Sequence, residues 1–229
     1  MSEKKLLKAS AVIAGISGIV ILFSVLFPII SYEHASNQKY PNLLSPISKD
    51  TPKVRLEEVD YTRASNWFVG GAEQDDFFAP SISHYVVSIP KLGVEKATVA
   101  IGGEDLFRSL IQYPGTALPG KKGNSVIFGH SILPQFYDPE DYLSIFSTLP
   151  ALEKGDEIQV DYDGISFKYE VENMFEVLPT DIQVLEQDLS DSFLTLVTCV
   201  PPGHPLKPKR LIVRARILPL GQANADISD

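Results

Sequence analysis

Between Ala9 and Tyr32 the chain carries no charged residue, and the run AVIAGISGIVILFSVLFPII within it is almost wholly apolar. As a helix rising about 1.5 Å per residue, such a run covers the roughly 30 Å of a bilayer's hydrocarbon. This divides the chain into a membrane-spanning helix over residues 9–32 and a globular part that must pack a core of its own. Lys4, Lys5 and Lys8 precede the run and Glu33 follows it. The positive-inside bias therefore predicts a cytoplasmic N-terminus, residues 1–8, and an extracytoplasmic remainder. A cleaved signal peptide is the rival reading and fits poorly, because the apolar run exceeds the usual ~7 to 15 residue core and no A-x-A-like site follows it.

Charge narrows the partners. The 229 residues hold 20 Lys+Arg against 29 Asp+Glu, a formal net charge of −9. Residues 1–30 contain three Lys and one Glu, so by subtraction the rest carries −11. Nucleic-acid affinity rests largely on clustered Lys and Arg that release counterions, and so acidic a chain makes a poor phosphate-backbone binder. Nucleic acid is excluded as a partner, and the membrane is expected as one. At 44% hydrophobic and 10% aromatic residues the chain belongs to the folded class. Its length predicts one domain, or one domain with an appendage.

Residues 33–82 mix polar, acidic and aromatic residues without a sustained strand pattern, which predicts a stalk or a covering segment. From about Ser83 the texture changes to short β-type runs separated by Pro, Gly and Asp: HYVVSI, KATVAI, SVIF, EIQVDY, ISFKYEV, MFEVL, FLTLVTC and RLIVRARI. Regular short strands with turn signals argue for a mainly β sandwich or barrel over 83–218. The clearest hairpin joins Ile158, Val160 and Tyr162 to Ile165, Phe167, Tyr169 and Val171 through Asp163-Gly164, a pair that supplies positive φ angles. Helix is expected to be minor, with 104–110 and 142–149 as candidates. The tail, 219–229, is polar and predicts no second span.

Cys199 is the single cysteine, so a disulfide framework is impossible. A lone exported thiol is either a small buried hydrophobe at a strand end or a nucleophile. Its neighbourhood favours the second. Ten residues holding four prolines follow it (VPPGHPLKPK), and Arg210 then opens the alternating strand RLIVRARI. If the two strands pair antiparallel, Cys199 and Arg210 flank one mouth of the sheet. A cysteine nucleophile acts as thiolate and wants a basic partner, most often His. His34 lies beside the membrane and His84 opens a strand. His130 follows SVIF in the turn FGHS, at the end of a rigid strand. His204 competes by proximity to Cys199, although its Pro-Pro-Gly-His-Pro setting resembles loop architecture. Arg214 and Arg216 share the parity of Arg210 and are expected on a solvated face.

These residues resemble the sortases, the membrane-anchored cysteine transpeptidases of bacterial surfaces. The resemblance runs from about His84 to Ile217 and rests on VSIPKLGVEKATVA, YPGTALPGKKGNSVIFGHS, TLVTC and RLIVRARI, in the family's order. It implies a closed eight-stranded sortase-type β-barrel with short helices behind an N-terminal transmembrane helix. It also makes His130 the catalytic histidine, Cys199 the nucleophile and Arg210 the essential arginine. The implied substrates are surface proteins with a C-terminal LPxTG-like sorting signal, and the implied acceptor is an amine of a cell-wall precursor or a pilin. The family chemistry requires no metal or organic cofactor. Some members use calcium, and no motif here supplies a site for it.

Pilin-polymerising sortases often carry a covering Asp-Pro-aromatic motif, which residues 33–83 do not contain. DDFFAP at 75–80 is an alternative covering segment, and no subclass is assigned. Two rivals remain open. A cell-wall L,D-transpeptidase would place Gly before its cysteine, where this chain has Thr198. A non-catalytic anchored binding module would leave Cys199 inert.

Overall fold

The computed structural model describes residues 3–40, 62–68 and 82–219. Its first element, α1 (Glu3–Lys39), is long and apolar enough to cross a membrane. The helix continues past the apolar run to Lys39, so the first residues expected in a stalk are helical.

Eight strands follow: β1 (His84–Ile89), β2 (Val94–Ile101), β3 (Leu110–Gln112), β4 (Gly123–Phe128), β5 (Glu157–Tyr162), β6 (Ile165–Val177), β7 (Ser192–Val200) and β8 (Lys209–Ile217). They close into a barrel in the order β1-β2-β3-β4-β7-β8-β6-β5, with β5 returning to β1. The expected mainly β, eight-stranded closed barrel is the observed fold. Closure leaves no free sheet edge, which suits a small all-β domain outside the protection of a larger core. The β5–β6 hairpin turns at Asp163-Gly164 with φ of 53° and 73°, and Tyr162 pairs with Ile165. Two parallel pairs, β2 with β3 and β4 with β7, are not hairpins and could not be read from local turn signals.

Side chains alternate between two cores. Leu194, Leu196 and Val200 of β7, Leu211, Val213 and Ala215 of β8 and Ile127 of β4 fill the barrel interior. Val197 and Cys199 of β7, Ile212 of β8 and Val126 and Phe128 of β4 have the opposite parity and form a second cluster on the outer face of the sheet. Every residue of β7 is buried, because this outer face is covered as well.

The two helix candidates are corrected to turns. At 104–110 the Asp105 side chain accepts from the Phe107 amide at 3.0 Å, and the Leu106 amide donates to Thr62 O at 3.2 Å. At 142–149 the Phe146 amide donates to His130 O at 3.0 Å, and a three-residue 3-10 turn follows at Leu149–Ala151. In both, backbone donors that a helix would need are taken by side chains or by distant chain. The polar tail from residue 220 onward lies outside the described residues.

Candidate active site

Cys199 and Arg210 are directly opposed register partners on the antiparallel strands β7 and β8. Both point to the outer face of the barrel, so the site is a groove on the β4–β7–β8 wall. The proline-rich connection returns the chain over a short distance, so the last turn of β7 and the first of β8 must meet.

Gly129 and His130 extend β4. The Gly129 amide donates to Val197 O at 3.2 Å, which carries the β4–β7 pairing one step beyond Phe128. Thr198 Oγ1 donates to Gly129 O at 2.8 Å, and Ser131 Oγ donates to Cys199 O at 2.5 Å. The residues on both sides of His130 are thereby fastened to the strand that bears Cys199. Gly129 is also required by space: a Cβ there would sit 2.5 Å from the Phe146 ring and 2.6 Å from Leu110. Thr198 faces inward, its hydroxyl spent on this fastening, and contributes no group to the groove.

Arg210 is wholly buried and Cys199 is 2% exposed. The Arg210 Nη1 donates to Lys207 O at 2.9 Å and Lys209 O at 3.2 Å, which holds the guanidinium against the end of the β7–β8 connection. Burial pushes the Cys199 thiol above its ordinary value, against the opposing pull of Arg210 and Lys207. In this closed arrangement the thiol is held protonated at neutral pH.

The cover is the segment 62–68. Trp67 stacks on Phe128 with centroids 5.2 Å apart and 11° between planes, lies 5.9 Å from the His130 ring, and has the Arg210 Cζ 5.5 Å from its centroid. The segment is clamped at its edge: the Ala64 amide donates to Glu104 O, and Ser65 Oγ donates to Glu104 Oε2 at 3.0 Å. The Phe107 ring also lies beside His130, with centroids 5.4 Å apart. Sequence reading missed Trp67 and Phe107 as site residues. The available signal was an aromatic pair, Trp67-Phe68, inside an otherwise polar stretch. DDFFAP, the covering segment considered from sequence, lies outside the described residues.

The other candidates sit elsewhere. His204 lies in the β7–β8 loop, where its Nδ1 accepts from the Leu206 amide at 3.1 Å and its own amide donates to Pro201 O. His84 Nδ1 bonds Ser83 Oγ at 2.8 Å, and His34 is exposed on α1. Arg214 and Arg216 share the face of Arg210 farther along β8, where their guanidinium carbons lie 4.3 and 5.2 Å from the Phe193 ring. They also approach Asp188 and Glu172.

A family model described as "Sortase domain" matches residues 87–218. Among solved structures, the chain is similar to a sortase D5 transpeptidase of Clostridium perfringens, at 29% identity over 60% of this chain and 79% of that one, with a TM-score of 0.51. It is similar to a lid mutant of sortase A from Corynebacterium diphtheriae, at 29% identity over 64% of this chain and 75% of that one, with a TM-score of 0.53. Sortase C-1 from Actinomyces oris matches at 28% identity over 59% of this chain and 73% of that one, with a TM-score of 0.51. No curated protein sequence matches the chain.

Proposed function

This chain belongs to the sortase family, and on that premise we propose that it is an extracytoplasmic, membrane-anchored cysteine transpeptidase acting through Cys199, His130 and Arg210. The observation that carries the reading is the direct opposition of Cys199 and Arg210 on β7 and β8, with the residues beside His130 fastened to the Cys199 strand.

The chemistry follows from these groups. The Cys199 thiolate attacks the carbonyl carbon of a substrate peptide bond and forms a tetrahedral oxyanion. The planar guanidinium fork of Arg210 hydrogen-bonds that oxygen as charge develops on it. Protonated His130 gives its proton to the departing amine, the C–N bond breaks, and a thioester remains on Cys199. A second amine then attacks the thioester, surrenders a proton to His130 and releases the acyl group as a new amide with the thiolate restored. Trp67 fills the space a substrate would need, so the segment 62–68 must withdraw first. Its withdrawal also relieves the desolvation that holds the thiol protonated.

The substrate reading is a surface protein with a C-terminal LPxTG-like sorting signal, and the acceptor is a cell-wall precursor or pilin amine. In this reading α1 spans the membrane with residues 1–8 cytoplasmic, and the catalytic barrel is residues 83–218. The burial of Cys199 is the one observation that favours a non-catalytic binding module instead. Incubating the detergent-solubilised full chain with LPxTG-like peptides separates the two. The enzyme gains the acyl mass at Cys199, loses it to hydroxylamine, and converts it to an amide with an added amine. A chain that acquires no adduct across a broad peptide panel is the binding module.

A further inference from the structure

The end of the barrel that carries the site is also the end bound to α1, and the contact is made at several independent points. Tyr32 Oη donates to Glu176 Oε1 at 2.8 Å, and Ser36 Oγ donates to the same atom at 2.5 Å. Lys209, the neighbour of Arg210, bridges Glu176 at 3.0 Å and Glu33 at 3.3 Å. Lys39 Nζ donates to Pro150 O at 2.8 Å and Leu152 O at 3.1 Å, and Tyr40 joins the barrel's core cluster. A helix held at its outer end by charges, hydroxyls and a core aromatic is fastened in orientation, unlike a flexible tether.

That orientation sets the depth of two loops. The loop after His130 (SILPQFY, 131–137) and the start of the loop after Cys199 (VPPGHPL, 200–206) contain no Asp, Glu, Lys or Arg, although the outer part of the chain is strongly acidic. They pack on each other: a Cβ at Gly203 would lie 2.6 Å from Leu133. Both border α1, with Pro134 and Pro202 lining one hollow beside Pro28, Ser31 and Tyr32. Gln135 Nε2 donates to Ser24 O at 3.1 Å. Counting about 20 residues at about 1.5 Å from Lys8 puts the outer hydrocarbon boundary near Pro28, so Ser24 lies roughly one turn, about 5 Å, inside it. Phe136, next to Gln135, is 62% exposed. A large apolar side chain left open beside a spanning helix matches the way interfacial anchors bury about 5–10 Å into the headgroup–acyl boundary.

We infer that the uncharged rim formed by Pro134–Phe136 is a lipid-contacting surface that seats the catalytic end of the barrel on the outer leaflet. The occupant of this apolar surface is the bilayer that α1 crosses. The inference rests on α1 spanning the membrane and goes beyond the proposed chemistry. It makes the site open beside the membrane surface rather than away from it.

Three single variants of the full chain in phosphatidylcholine nanodiscs test this: Phe136→Trp, Leu22→Trp in α1, and Leu189→Trp in the loop before β7. Leu22 and Leu189 are exposed, like Phe136. Leu189 lies beyond the far end of β7, about 30 Å from the rim by strand length. Trp67 is fully buried and adds the same emission to every variant, which the unmodified chain subtracts. The rim reading expects Phe136→Trp to emit to the blue of Leu189→Trp, to lose intensity to nitroxide placed high on the lipid acyl chain, and to resist acrylamide. Leu189→Trp should show the reverse. If Leu22→Trp is quenched by lipid nitroxide while Phe136→Trp behaves like Leu189→Trp, the span stands and the rim inference is overturned. If neither Leu22→Trp nor Phe136→Trp is quenched by lipid, the anchor reading falls and the rim with it.

Discussion

Trp67 lies against Arg210, with the guanidinium carbon 5.5 Å from the indole centroid, and both side chains are wholly buried. The residue proposed to stabilise the reacting oxygen is thus occupied, in the closed chain, by the face of an aromatic ring. A cation over an indole is stabilised by about 0.5–2 kcal/mol, more when desolvated, so the cover competes with substrate for the same group.

Trp67→Ala should open the groove. Modification of Cys199 by a thiol reagent is expected to accelerate about tenfold or more, the consequence of losing some 1.4 kcal/mol of local closing energy. In the wild type the rate should rise with pH through a midpoint above the ordinary thiol value, because burial dominates Arg210 and Lys207. In the variant the midpoint should move down, since the cations remain and the desolvation is relieved. An unchanged midpoint and rate would show that 62–68 does not control access.

His130 is held by β4 and its fastenings to β7, whereas His204 is engaged in its own loop turn. His130→Ala is expected to lower turnover by at least about 10²–10⁴-fold, the scale of a lost general acid. His204→Ala should leave turnover within about tenfold of wild type on the same scale. Steady-state assays with a sorting-signal peptide decide between them, and the reverse order would move the catalytic role to His204.

For Arg210, lysine keeps the charge but loses the planar fork and both anchoring bonds to Lys207 O and Lys209 O. Arg210→Lys should therefore lose on the order of a hundredfold in kcat, comparable to removing an oxyanion donor. Arg214→Lys and Arg216→Lys, on the same strand face over Phe193, should be near neutral in the same assay.

Thr198→Val keeps the shape of a fully buried side chain and removes its hydrogen bond to Gly129 O. Leaving that buried carbonyl without its hydroxyl partner should cost about 1–3 kcal/mol, read from the urea midpoint. Turnover should fall as well, because the strand end that carries His130 loses one of its three ties to β7, keeping only those from the Gly129 amide and the Ser131 hydroxyl. A variant stable and active as wild type would make the bond incidental.

Much of this molecule is local chemistry and could be read in one dimension. The uncharged run from Ala9 to Tyr32 needs only its length and composition to form a helix long and apolar enough to cross a membrane. Asp163-Gly164 needs only its permitted φ angles to be a turn. Cys199 and Arg210 needed one assumption, that the strands they bound pair antiparallel, and the short connection makes that pairing the easy one. The tertiary structure decided what depends on distant chain. Helices at 104–110 and 142–149 fail because the Thr62 and His130 carbonyls accept from the Leu106 and Phe146 amides, donors those backbones would have used internally. The parallel neighbours β2–β3 and β4–β7 leave no turn signal, since no turn joins them. The cover is the plainest case. Trp67 precedes His130 and Cys199 by 63 and 132 positions, and nothing in its polar surroundings names the partner of its ring. An apolar face declares that it will be buried, but only the closed barrel, by setting Phe128 on its outer face in one buried cluster with Cys199, determines where.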